Sequence, residues 1–279
     1  MQASQGVVLI TGCGSGIGQA LAVAFHARGH IVCATARRIE TMPELAAAGI
    51  MTRVLDVNDI AQAERLIHQL HEEGFYVDTL VNNAGYGAMG PMLDVPDDVW
   101  RQQFNVNLFA PMTLMRLTVP AMRARQRGTL INISSVSGVL TTPFAGPYCA
   151  SKAAFNAASD ALRLELKPFG IRVITVQPGG IRSSFGSQAA HQVSLADNSP
   201  YQAIATSVLA RAQESQSDAM PADVFARELV RRITPWRCPP ILRLGRQSKM
   251  MPFIKTFLPT NWSDVLLRRK FKLDHLTGR

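Results

Sequence analysis

The sequence is poor in the features that mark disulfide-rich, metal-binding or membrane proteins. Its 279 residues include only four cysteines, and no two of them have the Cys-x-x-Cys spacing of a metal or redox pair. So few and scattered cysteines are typical of a reducing compartment, and we expect free thiols and no metal site. No apolar run reaches the roughly 18 residues of a membrane helix, and the N-terminus lacks the basic segment of a signal peptide. These absences predict a cytoplasmic protein.

Charged residues are also few, at 18% of the chain, whereas the hydrophobic fraction of 47% is ample for a large core. This composition excludes a disordered or collagen-like chain. No Gly/Ser-rich linker, internal repeat or low-complexity tract marks a domain boundary, so we expect one globular domain.

The net charge of +9 is concentrated at one end of the chain. From Arg231 onward there are 12 Lys and Arg against 2 Asp and Glu, whereas the preceding residues carry 17 against 18. The basic charge therefore belongs to the C-terminal segment and not to the globular part. We expect no nucleic-acid partner.

Short apolar runs rich in β-branched residues recur along the chain, separated by stretches long enough for helices. Because these runs lack polar alternation, they predict strands that are buried on both faces. Helical spacers predict right-handed crossovers between parallel strands. We therefore predict a single-domain, doubly wound, Rossmann-like α/β fold with helices on both faces of a parallel sheet. The predicted strands are residues 7–11, 31–35, 54–57, 80–83, 130–134, 173–176 and 241–244.

Two segments interrupt this alternation. Residues 184–220 follow a strand end, where such folds bind their ligands, and we expect them to form a substrate lid. Residues 248–279 form a basic amphipathic extension to a catalytic domain of residues 1–247. Two prolines divide this extension into short amphipathic pieces. Two uses of it stay open: packing over the pocket or a subunit interface, and peripheral contact with an anionic membrane.

A glycine-rich loop connects the first predicted strand to a helix. Glycines allow a tight turn and let backbone N–H groups approach a pyrophosphate, and the helix N-terminus adds partial positive charge. The position of this loop therefore predicts a dinucleotide site, although a glycine cluster alone indicates only a turn. The residues concerned are Gly12, Gly14, Ser15, Gly16, Ile17 and Gly18.

The end of the second strand indicates which dinucleotide binds. An acidic side chain there would accept a hydrogen bond from the ribose of NAD and repel a 2′-phosphate. This chain instead has Arg37 and Arg38, and two guanidinium groups suit a phosphate. We predict NADP(H), the alternative being that both arginines are simply solvated.

Polar and small residues follow the third and fourth strands. Asp56 is placed to bind the adenine amino group, unless it only caps the helix predicted at 58–71. Asn83, Ala84 and Gly85 offer a flat edge for the adenine ribose, unless they only form a turn.

Tyr148 and Lys152 lie four residues apart at the start of a predicted helix, so both side chains project from one face. Reduction of a carbonyl leaves negative charge on oxygen, which needs a proton donor. We expect Tyr148 to be this donor, with Lys152 stabilising its phenolate and lowering its pKa, and Lys152 also binding the nicotinamide ribose. Ser135, just after the fifth strand, is placed to donate a second hydrogen bond to the substrate oxygen.

Together these motifs resemble the classical short-chain dehydrogenases/reductases over roughly residues 6–235. The resemblance includes the NADP-preferring branch, in which enzymes similar to 17β-hydroxysteroid and retinol dehydrogenases and bacterial aldehyde reductases act on lipophilic carbonyls. The residues that carry it are the glycine loop from Thr11 to Gly18, Leu55-Asp56-Val57, Asn82-Asn83-Ala84-Gly85, Asn107, Ser135, Tyr148 to Lys152, and Pro178 to Ser183.

This resemblance implies further roles. It implies a catalytic tetrad of Asn107, Ser135, Tyr148 and Lys152, in which Asn107 helps to hold a water that links Lys152 to solvent. It also implies a homodimer or homotetramer, and a cofactor site to which Val57 belongs. Residues around the nicotinamide and its carboxamide or the pyrophosphate would be Pro178, Gly179, Ile181 and Ser183.

The segments expected around the substrate are mostly apolar, and no Arg or Lys cluster for a phosphorylated or carboxylated substrate is evident. An apolar pocket favours a lipophilic aldehyde or ketone and its alcohol. Two alternatives remain. The first is a 3-oxoacyl thioester reductase whose basic extension receives an acidic acyl carrier, and the second is a non-catalytic NADP-sensing protein.

Overall fold

Successive residues of the first strand pack on opposite sides of the sheet. Val7 and Leu9 are fully buried in the hydrophobic cluster on one face, whereas Val8 and Ile10 are buried in the cluster on the other face. Both faces are therefore covered, as the uninterrupted apolar run predicts. The computed structural model describes residues 5–186, 189, 193–214, 218–234 and 238–276.

The central sheet has seven parallel strands in the order β3-β2-β1-β4-β5-β6-β9, and β7 pairs with β8 in a separate parallel pair. This is the predicted doubly wound, Rossmann-like fold in one domain. The strands are β1 (Gln5–Thr11), β2 (Ile31–Ala36), β3 (Met51–Val54), β4 (Phe75–Asn82), β5 (Gly128–Ile133), β6 (Ile171–Pro178), β7 (Ile181–Arg182), β8 (Met220–Pro221) and β9 (Ile241–Leu244).

Helices cover the sheet and extend beyond it. They are α1 (Gly16–His26), α2 (Pro43–Ala47), α3 (Ile60–Glu72), α4 (Asp97–Phe104), α5 (Ala110–Ala124), α6 (Gly146–Leu166), α7 (Ala205–Gln213), α8 (Ala222–Ile233), α9 (Met250–Phe257) and α10 (Thr260–Lys270). A five-residue π-helical segment, Asn105–Phe109, joins α4 to α5.

Several element boundaries differ from the predicted ones, and two of these differences have a clear physical reason. The run predicted as the third strand at 54–57 begins where β3 ends, because the strand uses the more polar Met51–Val54 and the apolar residues follow it as a loop. The helix predicted at 58–71 starts at Ile60, because the side chain of Asp59 accepts a hydrogen bond from the Gln62 N–H at 2.9 Å and caps it.

The predicted lid contains α7 and ends at Met220, the first residue of β8. β8 pairs with β7, so both ends of this excursion lie beside the carboxyl edge of the sheet. Parts of the predicted lid and of the predicted extension, namely residues 187, 188, 190–192, 215–217 and 277–279, lie outside the described residues.

The C-terminal extension packs on the rest of the protein. Phe271, just after α10, is only 4% exposed and belongs to a hydrophobic cluster with Phe144, Ile204 and Val208. Its ring lies edge-on to that of Phe144, with 6.3 Å between the centroids. The end of α10 and the residue after it therefore pack against the predicted lid, and the boundary predicted at 247/248 stays a prediction.

Within the described part of the chain, no helix combines the length and the hydrophobicity that a membrane crossing requires.

Candidate active site

The glycine loop between β1 and α1 is packed too tightly for side chains. Gly12 has a φ of +73°, and a Cβ on it would lie 2.9 Å from the Cα of Ala84. A Cβ on Gly18 would lie 2.3 Å from the carbonyl oxygen of Gly12. Only glycine at these positions lets the first turn of α1 fold back onto the end of β1 and leaves the loop backbone open to a ligand.

Asn83 fastens this loop to the end of β4. Its Nδ2 donates to the carbonyl oxygens of Thr11 at 2.8 Å and Gly12 at 3.2 Å. The Thr11 hydroxyl in turn accepts from the backbone N–H groups of Asn83 and Ala84, each at 3.0 Å. Asn83 therefore has a structural role in shaping the loop, beside the predicted contact with an adenine ribose.

The two arginines after β2 are exposed and line a cavity that also contains the glycine loop. No carboxylate follows β2 before Glu40. Asp56 lines the same cavity, and its Oδ1 accepts from the Asn58 N–H at 2.9 Å. Asp56 is therefore a turn residue rather than the helix cap, since Asp59 has that role.

Asn107 lies in the π-helical segment, where the extra residue per turn directs its side chain inward and buries it. Its Oδ1 accepts from the Tyr86 N–H at 3.2 Å, and its Nδ2 donates to the carbonyl oxygen of Tyr86 and to the Ser151 hydroxyl, both at 3.1 Å. Lys152 is close by: a Cβ built on Gly85 would lie 3.0 Å from Asn107 Oδ1 and 3.7 Å from Lys152 Nζ.

Tyr148 and Lys152 are both buried on one face of α6, beside Ser135. The Lys152 ammonium donates to the carbonyl oxygen of Ile133 at 2.9 Å, and it lies 6.0 Å from the centroid of the Tyr148 ring. The Ser135 hydroxyl accepts from the Ser137 N–H at 3.0 Å. Phe185 covers the other side of Tyr148, with ring centroids 5.3 Å apart.

Burial controls the ionisation of this pair. It raises the pKa of Tyr148 to about 12, against the opposing effects of the Ser135 hydrogen bond and the Arg211 charge. Burial lowers the pKa of Lys152 to about 8. The structure thus contradicts the expected lowering of the Tyr148 pKa by Lys152, because desolvation outweighs every nearby charge. At neutral pH the phenol is protonated.

The segment after β6 closes one side of the cavity. The Gly179 N–H donates to the carbonyl oxygen of Leu244 at 2.9 Å, which holds this turn against β9. The hydroxyls of Ser15 and Ser184 share a hydrogen bond of 2.7 Å, and a Cβ on Gly16 would lie 2.8 Å from the Ser183 Cβ. The turn is therefore in contact with the glycine loop.

One cavity of about 1150 Å³ brings these groups together. Of the predicted site residues, Gly18 and Asn107 do not line it, because Gly18 packs beneath the loop and Asn107 lies behind Gly85. The other predicted residues line it: Gly12, Gly14, Ser15, Gly16, Ile17, Arg37, Arg38, Asp56, Val57, Asn83, Ala84, Gly85, Ser135, Tyr148, Lys152, Pro178, Gly179, Ile181 and Ser183.

The C-terminal extension supplies a wall of this cavity that sequence reasoning did not assign. Apolar side chains of α9 and α10 line it, namely Met250, Met251, Ile254, Leu266 and Leu267. Charged residues line it as well, among them Arg211, Glu214, Arg246 and Lys270. The sequence shows no such cluster, because Arg211 and Lys270 come from helices far apart in the chain. The residue types gave no local signal of this contact.

The residues present fit a nicotinamide dinucleotide. The loop backbone is free of side chains at Gly12, Gly14 and Gly16, where an added Cβ would meet neighbouring atoms within 3 Å. The N-terminus of α1 follows directly, and positive charge is available at Arg37 and Arg38. The loop backbone and the adjacent helix N-terminus thus suit a pyrophosphate.

Comparison with known proteins agrees with this geometry. Residues 6–194 match the family model described as short chain dehydrogenase. The short-chain dehydrogenase ptmH of Penicillium ochrochloron is 40% identical over 227 residues, covering 80% of this chain and 82% of that protein. The NADPH-dependent 1-acyldihydroxyacetone phosphate reductase of Saccharomyces cerevisiae is 30% identical, covering 98% of this chain and 93% of that protein.

A solved structure is similar over the whole chain. The short-chain dehydrogenase from Streptomyces avermitilis superposes with a TM-score of 0.81 at 31% identity, covering 99% of this chain and 100% of that one. The chain therefore belongs to the short-chain dehydrogenase/reductase family and is an oxidoreductase of the class that uses nicotinamide cofactors.

Proposed function

We propose that the protein is an NADP(H)-dependent oxidoreductase that interconverts a lipophilic aldehyde or ketone and the corresponding alcohol. The observation that carries this proposal is the single cavity in which Tyr148, Ser135 and Lys152 share space with the glycine loop and with the apolar wall of α9 and α10. Such a cavity holds a dinucleotide and an apolar substrate against the same acid group.

The chain's own residues supply the acid chemistry. The bound cofactor supplies or accepts the hydride. Tyr148 donates its proton to the carbonyl oxygen during reduction, and its raised pKa keeps it in the protonated form that this step needs. Ser135 donates a second hydrogen bond to the same oxygen. Lys152, held by Ile133, orients the cofactor ribose. In this proposal Asn107 helps to hold a water that links Lys152 to solvent, as the family resemblance implies.

The preference for NADP(H) rests on the charge after β2. Arg37 and Arg38 line the cavity and are solvent-exposed, so each is free to turn its guanidinium toward a 2′-phosphate. The preceding residue is Ala36, where a carboxylate would repel such a phosphate. The yeast relative is named as NADPH-dependent, which supports the same assignment.

The test of this function is a substrate panel with a matched pair of tyrosine variants. Wild-type protein is assayed on decanal, retinal, a 17-ketosteroid and a 3-oxoacyl thioester, each with NADPH and NADH. Tyr148→Phe is expected to bind NADPH normally and to lose at least about a thousandfold in turnover. Tyr201→Phe, which lies outside the cavity, is the control and should keep wild-type turnover. Normal turnover by Tyr148→Phe would refute the mechanism.

The panel also separates the two enzyme classes. A 3-oxoacyl thioester reductase is the second candidate, favoured by the exposed cations Arg268 and Arg269 on α10, which suit an acidic carrier. Salt-sensitive turnover of the carrier-bound thioester, without turnover of decanal or retinal, would select it. The predicted homodimer or homotetramer stays a prediction.

We further propose that α9 and α10 contact an anionic membrane surface with their outer side. Phe253, Phe257 and Trp262 are 58%, 68% and 71% exposed, and Lys255 and Arg268 lie on the same two helices. Exposed aromatic side chains beside cations suit the boundary of acyl chains and anionic headgroups.

The test uses vesicles and leaves the inner wall intact. A triple variant, Phe253→Ser, Phe257→Ser and Trp262→Ser, should fail to sediment with phosphatidylglycerol-containing vesicles that retain wild type at low salt. Ile60→Ser, which removes an exposed apolar residue of α3, is the control and should sediment normally. Equal sedimentation of wild type and the triple variant would contradict this contact.

A further inference from the structure

The lid helix α7 places a charged residue on its buried side. Its buried positions are Ser207, Val208, Arg211 and Ala212, which form one inward face. An apolar side chain is the usual choice at such a position, yet the Arg211 side chain is only 8% exposed. A guanidinium stays charged when buried, so it needs compensating partners.

The partners that Arg211 has do not fully compensate its charge. Its Nε and Nη2 both donate to the hydroxyl of Thr142, at 3.0 and 2.8 Å. The nearest carboxylate is Glu214, whose Oε2 lies 3.6 Å from Nε. Glu214 also forms an ion pair with Lys270 of α10. Two cations thus share one carboxylate and one neutral hydroxyl, which leaves one positive charge in excess.

This cluster faces the reacting group. Arg211, Glu214, Lys270 and Thr142 line the same cavity as Tyr148, and the charge of Arg211 lowers the pKa of that phenol against the effect of burial. Among the residues that the structure describes, no hydrogen bond uses Nη1 of Arg211. The Nη1 group of the Arg211 guanidinium is therefore available to donate to another acceptor.

The neighbouring wall is apolar. Met250, Met251, Ile254 and Leu267 line the cavity from the C-terminal extension that also contributes Lys270. The cavity thus combines the proton donor Tyr148, an apolar surface and a positively charged corner. Glu214 itself shows which chemistry the corner accepts, because its carboxylate lies between the two cations.

We propose that Arg211 and Lys270 form a subsite for an anionic head group, a carboxylate or a phosphate, on an amphiphilic carbonyl substrate. This inference rests on the proposed function and narrows its substrate class. The head group binds the two cations in place of Glu214, the apolar chain contacts the methionine and leucine side chains, and the carbonyl oxygen meets Tyr148. An aliphatic aldehyde without charge leaves the subsite to Glu214.

The test compares charged and neutral substrates of equal length. Aldehydes of four to ten carbons are assayed with NADPH beside the corresponding ω-carboxylated aldehydes, and a 1-acyldihydroxyacetone beside its phosphate ester. The readout is the ratio of kcat/KM for the anionic member to that for the neutral member. We expect wild type to favour the anionic member about tenfold or more in at least one pair, and the preferred pair shows whether carboxylate or phosphate is recognised.

Variants with opposite expected signs test the residues. Arg211→Met should lower the ratio about tenfold, because it removes the buried cation. Glu214→Gln should raise the ratio, because it removes the competing carboxylate without changing the shape of the side chain. Arg231→Met, from the comparable ion pair with Glu228 on α8, is the control and should leave the ratio unchanged.

If Arg211→Met does not fold, as judged by its melting temperature and NADPH binding, Lys270→Met makes the same test from a partly exposed position, and we expect it to lower the ratio severalfold. If Arg211 had a purely structural role, Arg211→Met would change the turnover of both members equally and leave the ratio unchanged. In that case Glu214→Gln would also fail to raise the ratio. Wild type that reduces neutral aldehydes with no anionic preference overturns this subsite and leaves the proposed function standing. Wild type that reduces neither member overturns the proposed function.

Discussion

Lys152→Met is expected to make the protein inactive and to remove a pH dependence of its stability. Burial lowers the pKa of Lys152 from its ordinary 10.5 to about 8. Between these two pH values the unfolded chain holds a proton on this lysine that the folded protein has lost. At pH 7 Lys152 is protonated in both states, and burial of its charge opposes folding. The free energy of unfolding of wild type therefore rises as the pH increases from 8 toward 10.5.

The size of this effect follows from the two pKa values. Each pKa unit corresponds to about 1.4 kcal/mol, so burial of the charged lysine opposes folding by about 3 kcal/mol at pH 7. At pH 10 most of this opposition is gone. Relative to Lys152→Met, which has no proton to lose, wild type should gain about 2 to 3 kcal/mol in free energy of unfolding between pH 7 and 10.

The measurement is urea unfolding of wild type and variant at several pH values, without added nucleotide. Buried groups such as Tyr148 and Cys33 also titrate in alkali, but they occur in both proteins and cancel in the difference. Lys167→Met, at an exposed site after α6, is the control for the loss of a lysine side chain that is not buried. A difference between Lys152→Met and wild type that is constant from pH 7 to 10 would refute the reasoning.

Two further predictions concern the cofactor and the C-terminal wall. Ala36→Asp combined with Arg37→Ala should move the ratio of kcat/KM from NADPH toward NADH, because it places a carboxylate where a 2′-phosphate would bind; equal use of both cofactors by wild type would contradict the assignment. Phe271→Ala should lower the free energy of unfolding by about 3 to 5 kcal/mol in urea titrations, because it empties a site that is 4% exposed against Phe144. A loss below about 1 kcal/mol would show that the extension is only loosely attached.

The sheet was predictable because its evidence is local. Each strand of a parallel sheet that is buried on both faces is a short apolar run. The run at 173–176 therefore predicts a strand without any knowledge of its neighbours. β3 was misplaced because Met51–Val54 is only half-buried at the sheet edge, so its composition resembles a loop. The pairing of β7 with β8 involves two residues from each strand, too few to give any periodicity.

The site was predictable to the extent that its residues lie at strand ends and helix starts. The glycine loop, Ser135 and Tyr148 are each next to a predicted element, and the topology brings those ends to one edge. The pKa of Tyr148 was not predictable, because it depends on burial by Phe185 and other distant residues. Arg211 was missed for the same reason, since no sequence pattern brings the lid helix to the C-terminal extension.

The cavity is formed by two parts of the chain that have different roles, one in binding the nucleotide and one in lining the opposite side. The nucleotide side is built from loops at the ends of the central strands, so its shape depends on the sheet. The opposite wall consists of the helices α7, α9 and α10, which are not part of the central sheet. Descendants of this chain are thus free to acquire new substrates by altering those helices while inheriting the reaction unchanged. Exchange of residues 205–213 together with residues 246–276 for the matching segments of a relative is expected to transfer that relative's substrate range.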